Sequence, residues 1–173
     1  MTGTNRTAGR DDVTTRDQGH LRRKPKLAIL INSFRGGGAE RVVSLLLPRL
    51  SQDYEVFLVL LSALGFAYPL PENQKTFVLP GEEFNDWPNI VRLPSLARQY
   101  QRYLEEHEID VSLSLLNRPN FINCLVKRRG WRGAVLISER AVSSQFYKSG
   151  FRKVVGGLLI RRLYPYADTI ISI

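Results

Sequence analysis

Three short groups of residues carry the chemistry available to this chain: Gly36-Gly37-Gly38, Asn117-Arg118 and Glu139-Arg140. The glycines follow an apolar run of strand length, Leu27 to Ile31, and a helical pattern begins directly after them. A strand, a glycine turn and a helix start form an anion site. Glycine lets the backbone approach a ligand, and the first helical N–H groups point a partial positive charge at it. The loop therefore suggests a phosphorylated or sugar ligand. The plainer reading is a turn that uses glycine only for its backbone freedom. Two nucleotide motifs are excluded. A dinucleotide fingerprint needs a third glycine where Arg41 stands, and an acidic residue near Leu61-Ser62 that is absent; a P-loop needs a Gly-Lys-Ser/Thr that does not occur.

In Asn117-Arg118-Pro119-Asn120, Asn120 is a candidate helix cap, and Arg118 can reach an anion or simply face solvent. Glu139, beside Arg140 at the end of a buried strand, can accept sugar hydroxyls or act as a base. Arg140 can offset phosphate charge, and an internal Glu139–Arg140 ion pair is the alternative. His20 and His107 show no metal-ligand spacing and no nucleophile partner. Cys124 sits in an apolar pattern and reads as a small core residue.

The elements that must hold these groups alternate strand and helix. Strands are expected at Lys26–Ile31, Glu55–Leu61, Lys75–Leu79, Val111–Leu116, Ala134–Ser138 and Thr169–Ile173. Helices are expected at Ala39–Leu50, Ser95–His107, Asn120–Arg129 and Phe151–Tyr164. Pro48 should end or loosen the first, and Gly156-Gly157 should break or bend the last; Pro80–Pro94 reads as a loop. The pattern implies an α/β fold, a Rossmann-like doubly wound parallel sheet of about six strands in order 3-2-1-4-5-6. Ligands of such sheets bind outside the carboxyl ends of the strands, where strand order reverses, and that rule selects the three loops above.

The chain has 173 residues, enough for one domain with a core. Residues 1–24 are polar and aperiodic and are expected to be a disordered basic tail, with no secretory signal and no spanning segment. The single cysteine fits a cytoplasmic setting. The formal charge of +9 is uneven: +4 over residues 1–26, −3 over 27–126 and +9 over 127–162. Such asymmetry suggests an anionic partner such as lipid head groups, nucleic acid or a phosphorylated substrate. The late helix joins an apolar stripe (Val154, Val155, Leu158, Leu159, Leu163) to Arg152, Lys153, Arg161 and Arg162. It is expected to pack its stripe on the sheet, with an anionic membrane surface as the alternative.

Gly37-Gly-Ala-Glu-Arg-Val42, Ile137-Ser-Glu-Arg140 and Ile160-Arg-Arg-Leu-Tyr-Pro-Tyr-Ala-Asp-Thr-Ile-Ile-Ser172 together resemble the N-terminal half of GT-B glycosyltransferases of family 4. The resemblance covers residues 25–173 and implies one half of a GT-B fold. It would be the acceptor-binding domain of a retaining enzyme that moves a sugar from a nucleotide sugar to a glycan or lipid-linked acceptor. It implies no metal and no cofactor, with the nucleotide sugar held by a C-terminal donor domain that this sequence does not include. Gly36, Gly37, Gly38, Asn117, Arg118 and Arg140 would bind substrate and Glu139 would be catalytic. Many relatives carry a His on the catalytic side; the corresponding loops here offer Glu139 and Arg140 instead. The implied setting is cytoplasmic, with peripheral contact at the inner face of an anionic membrane, and without its donor domain the chain is expected to be inactive. The alternative is a non-catalytic basic α/β module binding anionic membrane or RNA. Nucleic acid is the less favoured partner, because no aromatic-rich basic surface or known module is evident.

Overall fold

The computed structural model describes residues 23–63, 65–79, 90–139 and 150–172. Six parallel strands, β1 (Lys26–Ile31), β2 (Glu55–Leu60), β3 (Lys75–Val78), β4 (Val111–Leu115), β5 (Ala134–Glu139) and β6 (Thr169–Ser172), form one sheet in the order β3-β2-β1-β4-β5-β6. The helices among the described residues are α1 (Gly38–Asp53), α2 (Leu93–Glu106), α3 (Asn117–Arg128) and α4 (Gly150–Leu163). This is the expected doubly wound topology, with strand order reversing between β1 and β4.

Alternation along the strands divides the core in two. Leu27, Ile29 and Ile31 of β1 pack with Leu58 and Leu60 of β2 against Ala39, Val43 and Leu47 of α1. Ala28 and Leu30, with Phe57 and Val59, face α2 and α3 through Leu96, Tyr100, Phe121 and Ile122. Both faces of β1 and β2 are covered, which is why these strands read as nearly continuous apolar runs. Each such aliphatic side chain contributes about 1.5–3 kcal/mol on burial.

Several boundaries differ from the sequence expectation. Helix α1 runs through Pro48 to Asp53. Pro48 is exposed, so the carbonyl that loses its helical partner can be hydrated while Val43 and Leu47 hold the inner face. Leu45 and Leu46 fall outside the inner face and are exposed. Helix α2 starts at Leu93 after a 3-10 turn, Ile90–Arg92, inside the expected loop, whose residues 80–89 lie outside the described residues. Pro94 falls in the first turn, where its missing N–H has no helical partner to lose. Helix α3 begins at Asn117, so Asn120 does not cap it; Leu116 occupies the cap position. Helix α4 continues through Gly156-Gly157, because Leu159, Ile160 and Leu163 pack on the core and outweigh the roughly 1 kcal/mol each glycine costs. Its expected stripe is split: Leu163 is buried, while Val154 and Leu158 point outward.

Candidate functional site

The registers Leu30↔Ser114 and Leu115↔Ser138 bring the ends of β1, β4 and β5 level at the carboxyl edge. Two strand spacings put the β1 and β5 loops about 10 Å apart, room for one sugar ring. Among the described residues, the candidate groups gather along this edge.

The glycine loop is held by a strap that the sequence reading did not single out. Phe34 pairs with Phe66, and Ala67 donates its N–H to the Phe34 carbonyl at 2.8 Å. The two phenyl rings sit 6.1 Å apart, and Phe66 remains exposed. Tyr68 approaches the Gly36 and Gly37 carbonyls at 3.4 and 3.5 Å. Gly36 has φ +116°, and a Cβ there would meet the Ala67 side chain at 3.0 Å, so both conformation and contact require glycine. Gly37 is the N-cap of α1, and a Cβ on it would fall 2.3 Å from Glu40 Oε2. At Gly38 a Cβ would meet nothing within 4 Å, so that position is open to an approaching molecule.

The β4–β5 side is built differently. Tyr100 Oη and Ser112 Oγ are 2.7 Å apart, and Ser112 donates to Asn123 Oδ1 at 2.8 Å. Asn123 donates onward to Ser114 Oγ at 3.2 Å, and Ser114 to Asn120 Oδ1 at 2.8 Å. Asn120 Nδ2 then donates to the Ser138 carbonyl at 3.1 Å and faces Tyr164 Oη at 3.4 Å. The Tyr164 hydroxyl donates to Glu139 Oε2. One orientation of the Asn117 amide is chemically sensible: its NH₂ donates to Glu139 Oε1 and Oε2 at 2.8 and 3.2 Å. The half-buried Glu139 carboxylate is thus gripped by donors from two elements. Burial, reinforced by the bond to Glu139, pushes the Tyr164 pKa far above its ordinary value, so this hydroxyl keeps its proton and donates throughout the physiological range.

The edge includes a strained residue. Leu116, between β4 and α3, has φ 78° and ψ 154°, a conformation that costs a bulky residue energy and recurs at binding sites. Asp168, just before β6, accepts the Val135 N–H at 2.7 Å and pairs with Lys127 at 2.8 Å.

Of the sequence candidates, Gly36, Gly37 and Gly38 lie on the β1 loop, Asn117 and Glu139 are in direct contact, and Arg118 occupies the first turn of α3. Arg140, with any pair it forms with Glu139, lies outside the described residues. Asn120, expected as a cap, is a buried link instead. Tyr164 and the Ser112–Asn123 links were missed. Serines at alternate positions of an otherwise apolar strand, followed by asparagines three apart on the next helix, are the signal that could have revealed them. Cys124 is fully buried and its thiol is pushed up to about 12 by burial, which leaves it unreactive. His107 closes α2 by stacking on Tyr103 at 4.1 Å. Among the described residues no cluster of His, Cys, Asp and Glu could hold a metal ion, and no helix is long and apolar enough to cross a membrane.

The chain is similar to two curated proteins of Campylobacter jejuni subsp. jejuni serotype O:2. It is 39% identical over 150 residues to N-acetylgalactosamine-N,N'-diacetylbacillosaminyl-diphospho-undecaprenol 4-alpha-N-acetylgalactosaminyltransferase, covering 84% of this chain and 40% of that protein. It is 26% identical over 148 residues to GalNAc-alpha-(1->4)-GalNAc-alpha-(1->3)-diNAcBac-PP-undecaprenol alpha-1,4-N-acetyl-D-galactosaminyltransferase, covering 84% and 39%. The chain thus spans about 40% of the length of the curated relatives it matches. Its fold matches sucrose-phosphate synthase from Thermosynechococcus elongatus with a TM-score of 0.62 at 10% identity, over 84% of this chain and 41% of that one. It also matches Acinetobacter baumannii MurG with a TM-score of 0.51 at 16% identity, over 86% and 41%. No family model matches the chain.

Proposed function

We propose that this chain, whose fold is that of one domain of a GT-B glycosyltransferase, is the N-terminal, acceptor-binding domain of a retaining family 4 enzyme. In this reading the whole enzyme moves a sugar from a nucleotide sugar to a lipid-linked glycan, and a second domain holds the donor. The observation that carries it is the likeness, along most of the chain, to two transferases named for diphospho-undecaprenol-linked acceptors.

The site fits that role. Glu139 accepts the hydrogen bond of the attacking hydroxyl, its carboxylate aimed by Asn117 and Tyr164. Gly36 to Gly38 let the acceptor lie against the backbone, and Arg118 and Arg140 meet its diphosphate. Stabilising the departing nucleotide diphosphate needs donors from both domains, so residues 1–173 alone transfer no sugar. The exposed face of α4 carries Val154 and Leu158 followed by Arg161 and Arg162, at helical spacing. That face supports peripheral contact with the anionic inner surface of a membrane, which brings the site to a lipid-linked acceptor.

The test is a titration of the chain with diphospho-undecaprenol-linked N-acetylgalactosamine in detergent micelles, and separately with UDP-N-acetylgalactosamine. The acceptor should bind and the nucleotide sugar should not. The reverse result would refute the proposal, as would tight, salt-sensitive RNA binding without acceptor binding.

A further inference from the structure

We propose that Glu40 is a ligand for the acceptor sugar, so that the glycine loop recognises a hydrogen-bond donor on a neutral ring, a hydroxyl or an acetamido N–H, rather than a phosphate. The proposal rests on the acceptor-binding reading and gives its β1 loop a chemistry.

Three observations carry it. Glu40 is only 8% exposed, yet no donor among the described residues bonds to its carboxylate. A glutamate three residues into a helix commonly bonds back to the N-cap N–H, and this one does not. A largely buried carboxylate with no protein donor keeps both oxygens available to a donor that arrives. Second, the carboxylate lies against the glycine loop itself: Glu40 Oε2 stands 2.3 Å from where a Cβ of Gly37 would be. Its oxygens keep contact with solvent, unlike the enclosed amide oxygens of Asn32 and Gln99, so a ligand can reach them. Third, the adjoining Gly38 is open on the side where a Cβ would stand.

Charge decides the class of ligand. The start of α1 offers a partial positive charge to an anion. Glu40 already supplies a full negative charge there and would repel a phosphate at contact distance. The same carboxylate attracts a hydroxyl or amide N–H, and such charge-assisted bonds are the stronger kind. The diphosphate of a lipid-linked acceptor is therefore met elsewhere, and the sugar ring sits at the β1 loop.

The test uses residues 1–173 and two probes, micellar diphospho-undecaprenol-linked N-acetylgalactosamine and inorganic pyrophosphate. Glu40→Gln should weaken the acceptor about 10-fold, the scale of one lost charge-assisted bond. Glu40→Asp, which keeps the charge but withdraws it by one methylene, should weaken it by a similar factor while the melting temperature stays unchanged. Wild type should show no pyrophosphate site that Glu40→Gln strengthens. If the acceptor binds and Glu139→Gln weakens it, but both Glu40 variants bind as wild type, the Glu40 assignment falls and the acceptor-binding reading stands. A pyrophosphate site at the loop that tightens in Glu40→Gln overturns the sugar-ring assignment. Failure of wild type to bind the acceptor at all removes both.

Discussion

Around β4 and β5 the buried polar side chains pass hydrogen bonds from one to the next, from Tyr100 to Glu139. Around β1 the loop is held by backbone bonds to its strap, and among the described residues Glu40 has no hydrogen-bond donor and the Asn32 amide oxygen no partner. The two sides lie on one sheet edge, a strand or two apart. A fully satisfied network is stiff and fixes where a carboxylate points. A side chain left unsatisfied gives up stability and keeps its bonding capacity for something that arrives later. Preorganisation on one wall and availability on the other are what the proposed function asks of this edge: one carboxylate aimed and room left for a substrate.

Breaking the satisfied side should have the largest effect. Asn120→Ala removes the acceptor of the Ser114 hydroxyl and the amide donor to the Ser138 carbonyl, and opens a cavity inside the protein. It should cost about 3 kcal/mol and lower the melting temperature by roughly 10 °C. A loss below about 1 kcal/mol by urea unfolding would mean the network does not stiffen this wall.

Tyr164→Phe keeps the buried ring and removes only the hydroxyl that holds Glu139. It should weaken acceptor binding about 5-fold for a stability loss of about 1 kcal/mol. In a Glu139→Gln background, itself about 10-fold weaker, the Tyr164 effect should largely vanish, since the hydroxyl acts through the carboxylate. Additive losses in that cycle would show that Tyr164 matters for packing alone.

On the other wall, Glu40→Gln should change stability by no more than about 0.5 kcal/mol, because the carboxylate has no donor among the described residues and only a weak helix-end attraction is lost. A loss above about 2 kcal/mol would show that this side chain belongs to the stabilising framework, and the contrast between the walls would fail.

The smallest effect concerns acid. Partial burial pushes the Asp168 carboxyl up, but the Lys127 side chain, the Val135 N–H and the Lys127 charge together hold it below its usual 3.8. Its contribution to stability is therefore present above that value and lost as pH falls through the lower folded pKa. Unfolding free energy measured from pH 6 to 2 should decline below about pH 4, and Asp168→Asn should flatten that decline slightly.

Much of the fold was legible from pattern. Apolar runs marked β1 and β2 because both faces of those strands are buried, and alternation of strand and helix led to the strand order. Boundaries were harder where tertiary packing outweighs a local signal, as at Pro48, Gly156-Gly157 and Leu93. The candidate site divided in the same way. Asn117, Glu139 and the glycines stand at strand ends that topology alone selects. The roles of Asn120, Tyr164 and Glu40 were not legible, since each depends on what lies across the sheet or folds back from the next turn.

The sequence by itself determined the order of elements, the parallel sheet and the edge at which such sheets bind ligands, because periodicity and turn chemistry are local properties. Only the tertiary structure decided that Tyr164 donates to Glu139, 25 positions away, and that the glycine loop already contains a carboxylate. A hydrogen bond depends on register and on distances of a few tenths of an ångström, and those arise only when distant segments pack together.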